Sequence, residues 1–149
     1  MTVVDGRLAD VTPKLFIGGA WRDAADGKTF PVRNPATDEV LAHVPAASAS
    51  EAGDAVRAAE AALPAWRATT AGERSKLLRR FFDLVVEKRE WLALIMSLEE
   101  GKPVEEALGE IAYGAAFLEW AAEEAKRVSG EVIPHSAGDK RMLVLRQGV

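Results

Sequence analysis

Ile111-Ala112-Tyr113-Gly114-Ala115-Ala116-Phe117-Leu118-Glu119-Trp120-Ala121-Ala122 is the stretch whose reading decides the fold. Glu119 is its single charge, and the small and aromatic residues leave almost no polar stripe. A helix apolar on nearly every side needs protein around most of its circumference. The spacing predicts a long helix over 103–128, with Pro103 in its first turn, where a missing N–H costs nothing, and Ser129-Gly130 as its stop. Three further short helices in this chain could hardly cover such an element. The helix therefore asks for a covering surface beyond the rest of the chain.

Upstream of it the pattern is helical back to Ser48. Ser48-Ala49-Ser50-Glu51 and Thr70-Ala71-Gly72-Glu73 are capping boxes, each a helix start worth about 1 kcal/mol. The first opens an alanine-rich helix that is expected to run to Leu63 and to be interrupted by Pro64. The second opens an amphipathic helix with Leu77, Leu78, Phe81, Phe82, Val85 and Val86 on its apolar stripe. Its opposite side carries Glu73, Lys76, Arg79, Arg80 and Asp83. A third helix is predicted over 91–100, with Gly101 at the stop and Pro103 beyond it. The Arg79-Arg80 and Lys88-Arg89 pairs are interleaved with acids, which reads as a solvated face and not as a phosphate-binding patch.

The first third reads as hairpins. Gly18-Gly19 between Leu15-Phe16-Ile17 and Ala20-Trp21 is a two-residue turn signal, because both turn positions can take positive φ. Asn34-Pro35-Ala36-Thr37-Asp38 separates a second pair of strands around Phe30 and Val40, with Pro35 presetting φ. His43 alternates on the second of these strands and has no catalytic partner nearby in sequence. After the long helix, Glu131-Val132-Ile133-Pro134 is extended and Met142-Leu143-Val144-Leu145-Arg146 reads as one final strand.

Composition bounds the function. The chain has 149 residues and a net charge of −4, which offers no basic field to a phosphate backbone, so nucleic acid is not an expected partner. Cysteine is absent, which removes disulfides, thiolate metal sites, iron–sulfur clusters and a cysteine nucleophile from these residues. His43 and His135 stand far apart with no ligand spacing between them, so no metal site is expected. Met1-Thr2-Val3-Val4-Asp5-Gly6-Arg7 has an acid and a base where a signal peptide needs an apolar run. No stretch approaches the roughly 18 apolar residues of a membrane span. A soluble, cytoplasmic protein is expected. No Gly-x-Gly-x-x-Gly follows a strand, and no phosphate-cradling loop is present. The acidic pairs Glu99-Glu100, Glu105-Glu106 and Glu123-Glu124 diverge on a helix and read as solvated surface.

The order of motifs carries a resemblance. Phe16-Ile17-Gly18-Gly19-Ala20-Trp21, Asn34-Pro35-Ala36-Thr37-Asp38-Glu39-Val40 and Leu98-Glu99-Glu100-Gly101-Lys102-Pro103 together resemble the N-terminal part of the aldehyde dehydrogenase superfamily. Phe117-Leu118-Glu119-Trp120-Ala121-Ala122-Glu123-Glu124-Ala125-Lys126-Arg127, then Gly130-Glu131-Val132-Ile133-Pro134 and Asp139-Lys140-Arg141, resemble its succinate-semialdehyde dehydrogenase branch. The resemblance covers 15–149. Asp38 stands where the family has Gly; Asp tolerates a left-handed backbone, so the turn is expected to survive.

The resemblance implies an α/β fold of which this segment supplies β-hairpins (15–45), four helices (46–130) and one extended strand that starts an oligomerisation or bridging sheet (131–149). The nucleotide-binding sheet lies outside it. It implies NAD- or NADP-dependent oxidation of succinate semialdehyde or a related aldehyde to the acid. There a cysteine thiolate attacks the carbonyl, a glutamate activates water, and an Asn side chain with a backbone N–H holds the oxyanion. All of these lie beyond Val149 in the family's order. No catalytic, cofactor-binding or metal residue is therefore assigned here, and the segment is expected to be inactive alone, binding no cofactor. Its implied partners are the remainder of the enzyme chain, the aldehyde in the full-length form, and further copies in a homo-oligomer. The long helix is implied to line the aldehyde tunnel, with Tyr113, Phe117 and Trp120 at i, i+4 and i+7 on one face. Ordinary core is the alternative for these aromatics. Glu99 matches a family position linked to a structural monovalent cation and is given no role here. A stand-alone helical interaction module is the rival for the whole chain, since it would need the same covering surface.

Overall fold

The computed structural model describes residues 5–147. Residues 1–4, part of the segment read above against a signal peptide, and 148–149, the end of the last extended segment, lie outside the described residues. Strands β1 (Leu15–Ile17) and β2 (Ala20–Arg22) form the first hairpin, with Ile17 opposite Ala20. Gly18 and Gly19 carry it with φ of 61° and 81°, the double positive φ of a tight two-residue turn.

The second hairpin pairs β3 (Thr29–Arg33) with β4 (Val40–Pro45). Its turn survives Asp38, which takes φ 60° and donates its N–H to the Asn34 carbonyl at 2.8 Å. A register shift between Val32 and Arg33 leaves Leu41 as the extra residue on β4. That bulge breaks strict alternation and turns both Leu41 and Ala42 inward. The Leu41 carbonyl accepts from the Asp5 N–H at 3.1 Å. His43 lies opposite Pro31, an ordinary strand position.

Four helices follow: α1 (Ala49–Ala68), α2 (Ala71–Glu87), α3 (Arg89–Glu100) and α4 (Val104–Glu124). Both capping boxes form as read. Pro64 does not interrupt α1, which continues to Ala68. Proline's φ is itself helical, so a turn can pass it at the loss of one backbone hydrogen bond. The stripe on α2 is split: Leu78, Phe82 and Val85 are half-buried, whereas Leu77, Phe81 and Val86 are exposed. Gly101 ends α3 in a left-handed conformation, φ 73°. An added Cβ there would come within 3.0 Å of the Pro35 ring, so the Asn-Pro turn sits directly on the α3–α4 junction.

The most completely buried large side chain is Leu41, 1% exposed, clustered with Leu8 and Leu98 and flanked by Val11, Val32, Leu94 and Ile95. This cluster ties the N-terminal 3₁₀ turn (Gly6–Leu8), the second hairpin and α3 together. A second buried seam runs through the helices, where α4 packs on α2 and α3. Its buried members are small: Ala107, Ala115 and Ala122 on α4, Ala93 on α3 and Ser75 on α2.

One extended strand is expected at the end; the structure has two, β5 (Glu131–Pro134) and β6 (Arg141–Val144), paired antiparallel. The six residues between them conceal the hairpin, because two-residue turn chemistry is absent and the reversal depends on Gly138 at φ 72°. Every residue of both strands is exposed. Each of the three sheets is two-stranded and antiparallel. Among the described residues, no helix is long and apolar enough to cross a membrane.

Candidate functional site

The candidate site is the outer face of α4. Alanines at 107, 115 and 122 take the inner face, and 3.6 residues per turn then carry Tyr113, Phe117 and Trp120 outward. They are 68%, 58% and 68% exposed. Within the described residues the three aromatics are thus a bare surface and not core. Tyr113 and Phe117 meet edge-to-face with ring centroids 4.9 Å apart. Trp120 lies nearly a turn beyond Phe117 on the same side. The rings, with the small exposed Gly109, Ala112 and Ala116 beside them, make an aromatic face that Glu110 borders one turn before Tyr113. They supply no acid, base or nucleophile apart from the Tyr113 hydroxyl.

Two clamps hold α4, and the sequence reading missed both. At its start, Lys102 Nζ pairs with Glu100 at 2.6 Å and with Glu110. Those carboxylates raise the Lys102 ammonium above its ordinary value, Glu100 contributing most. At its far end, Arg79 Nη1 donates to Glu119 Oε1 at 2.7 Å and Nη2 to Glu123 Oε1 at 3.3 Å. Arg79 therefore does not sit on a freely solvated face; it bridges α2 to α4. Glu119 and Glu123, four residues apart on the last turns of α4, were the available signal. Their partner is 40 residues away in sequence, beyond any local rule.

Other sequence-level candidates stay apart from this face. Glu99 is exposed at the end of α3. His135 Nδ1 meets Asp139 Oδ1 at 2.9 Å in the β5–β6 loop. Among the described residues, no group of three or more His, Asp or Glu side chains could hold a metal ion. A cleft of about 660 Å³ lies between the end of α1, the start of α2 and the end of the chain, lined by Trp66, Arg67, Arg74 and Arg146. Arg74 is engaged there with the Thr69 carbonyl at 2.7 Å, and Arg146 faces Glu131 at 3.8 Å.

The model of the aldehyde dehydrogenase family matches residues 21–149. Glutarate-semialdehyde dehydrogenase of Pseudomonas aeruginosa is 52% identical over 136 residues, covering 91% of this chain and 28% of the relative. Succinate-semialdehyde dehydrogenase [NADP(+)] of Escherichia coli is 49% identical over the same shares. The crystal structure of succinate-semialdehyde dehydrogenase from Burkholderia pseudomallei superposes with a TM-score of 0.85 at 46% identity, over 96% of this chain and 29% of that one. The chain spans just over a quarter of the length of these relatives. With the family model matched over 21–149 and the backbone superposing on that portion, the chain belongs to the aldehyde dehydrogenase family.

Proposed function

We propose that this chain is the N-terminal segment of an NAD(P)-dependent aldehyde dehydrogenase that oxidises a four- or five-carbon semialdehyde to the dicarboxylic acid. The observation that carries the reading is the half-identical match to succinate- and glutarate-semialdehyde dehydrogenases along 91% of the chain. In this reading residues 15–45, 46–130 and 131–149 are hairpins, helices and the start of a bridging sheet, in a cytoplasmic homo-oligomer. Tyr113, Phe117 and Trp120 form one wall of the aldehyde tunnel, closed on its other sides by the remainder of the chain. Their exposure leaves this face free for the remainder of the chain, as that role requires.

A nicotinamide dinucleotide does not fit the described residues. Such cofactors lie at the carboxyl ends of parallel strands, and every sheet here is antiparallel. The cofactor, NAD or NADP, is held outside this segment, and these residues contribute shape and not chemistry. Purified residues 1–149, mixed with succinate semialdehyde and either nicotinamide cofactor, are expected to give no rise in absorbance at the reduced-nicotinamide band. The full-length chain is expected to give one. Turnover by the segment alone, surviving repurification, overturns the reading.

A further inference from the structure

Resting on the tunnel reading of α4, we propose that Arg79 is a positioning residue that fixes the rotation of α4 and thereby the reach of Phe117 and Trp120 into the aldehyde tunnel. The packing between the helices leaves room for such a device. The buried seam of α4 consists of alanines 107, 115 and 122, against helices whose own buried members are Ala93, Leu98 and Ser75. Small side chains let helix backbones approach closely, but they interlock little. Helices keep their rotation through ridges set into grooves, and an alanine seam has shallow ridges. Half-buried Leu108, Ile111 and Leu118 on the same side of α4 add some steric registration, and directional bonds sharpen it.

Arg79 supplies them. Its guanidinium makes one bond to Glu119 and one to Glu123, on successive turns of the same α4 edge. Two bonds from one planar fork restrain rotation as well as distance, which a single point charge cannot do. The fork is itself held, with the guanidinium carbon 5.3 Å from the Phe82 ring centroid on α2. Hydrogen bonding to Glu119 first, and to Glu123 as well, raises the Arg79 pKa further above its ordinary value, so the clamp is charged throughout the working range. Glu119 lies between Phe117 and Trp120 in sequence. A rotation that releases Glu119 therefore carries both rings the same way around the helix axis and changes their reach into the tunnel together.

The test uses the full-length enzyme that carries this segment and two substrates differing by one methylene, succinate semialdehyde and glutarate semialdehyde. A methylene in a fitted pocket is worth about 10- to 200-fold in kcat/KM. Arg79→Met keeps the stem and removes the fork. It is expected to change the ratio of kcat/KM between the two aldehydes by about 3- to 10-fold, a fraction of that range, through KM and with kcat for the better substrate held. Arg79→Lys retains the charge but not the fork and is expected to recover less than half of the change. Phe117→Ala reports on the wall itself and is expected to move the same ratio. If Phe117→Ala moves the ratio and Arg79→Met lowers only the melting temperature, the positioning role is overturned and the tunnel stands. If neither moves it, the tunnel reading falls and the positioning role with it. Full recovery by Arg79→Lys would mean that the charge, and not the fork, is what fixes the helix, and would overturn the role given to the fork. Should Arg79→Met not fold, Glu119→Ala and Glu123→Ala, each leaving one bond, carry the same comparison.

Discussion

The second and third hairpins have the same topology and similar apolar content, yet opposite fates. In β3–β4 the bulge turns Leu41 into the main core, with Leu8 and Leu98 around it. In β5–β6 every residue stands in solvent, Leu143 at 68% exposure against 1% for Leu41. Strand propensity and antiparallel pairing do not distinguish the two. What differs is whether this chain brings a second layer to the apolar face. A two-stranded ribbon without one is marginal in water. The difference teaches that pairing alone does not bury an apolar strand: β4 meets a second layer of this segment, and β5–β6 meets none among the described residues.

The sharpest way to break the comparison is to truncate the matching leucines. Leu41→Ala is expected to cost about 2–5 kcal/mol, the transfer and cavity cost of a buried leucine, read from the urea midpoint of the 149-residue chain. The same change at Leu143 is expected to stay within about 0.5 kcal/mol. Equal losses at both sites would mean that the ribbon is packed in solution, and concentration dependence of the Leu143→Ala effect would identify the cover as a second copy.

A smaller effect tests how the hairpins are tied to the helices. Glu51, buried at the start of α1, accepts from the Ser48 N–H and hydroxyl and from the Ala25 N–H at 2.8 Å each. These donors, the Ser48 N–H first, hold its carboxyl below the ordinary value. The folded state therefore binds fewer protons than the unfolded one in that range. The resulting stability is complete above the unfolded value, about 4.3, and is lost as pH falls through the depressed folded value. Wild type is expected to exceed Glu51→Gln in urea midpoint by a constant margin from pH 7 to 5. Below about pH 4.3 that margin is expected to shrink. A margin unchanged at low pH would show that the carboxylate charge is not what binds the loop after β2 to α1.

Legibility in the sequence followed the range of each interaction. The Gly18-Gly19 turn and both capping boxes are settled within four residues, and they appear as read. The Asn-Pro turn tolerates Asp38 because a left-handed Asp is a local matter as well. The continuation of α1 past Pro64 was hidden because proline's cost there is a single bond, which the helix absorbs. The β5–β6 pairing was hidden by its long loop, and the bulge at Leu41 by the lack of any glycine to announce it. At the candidate site, the periodicity put Tyr113, Phe117 and Trp120 on one face. That they are bare, and that Arg79 holds their helix, depends on contacts across 40 residues, which no window along the chain contains.

The nakedness of α4 and of the last hairpin also has a consequence in time. A ribosome adds roughly 5–20 residues per second. By the time Gly101 has emerged, Leu8, Leu41 and Leu98 can close on one another, and the first core exists. The aromatic face and both open ribbon edges emerge next, with nothing yet made to cover them. In a chain as long as its relatives, more than two thirds of the polypeptide would still be to come. At that speed of synthesis the wait is on the order of tens of seconds. For that interval such a nascent chain would display rings and unpaired strand edges of the kind that aggregate. The stretch around Phe117 and Leu143 is thus where a holding chaperone would be needed most.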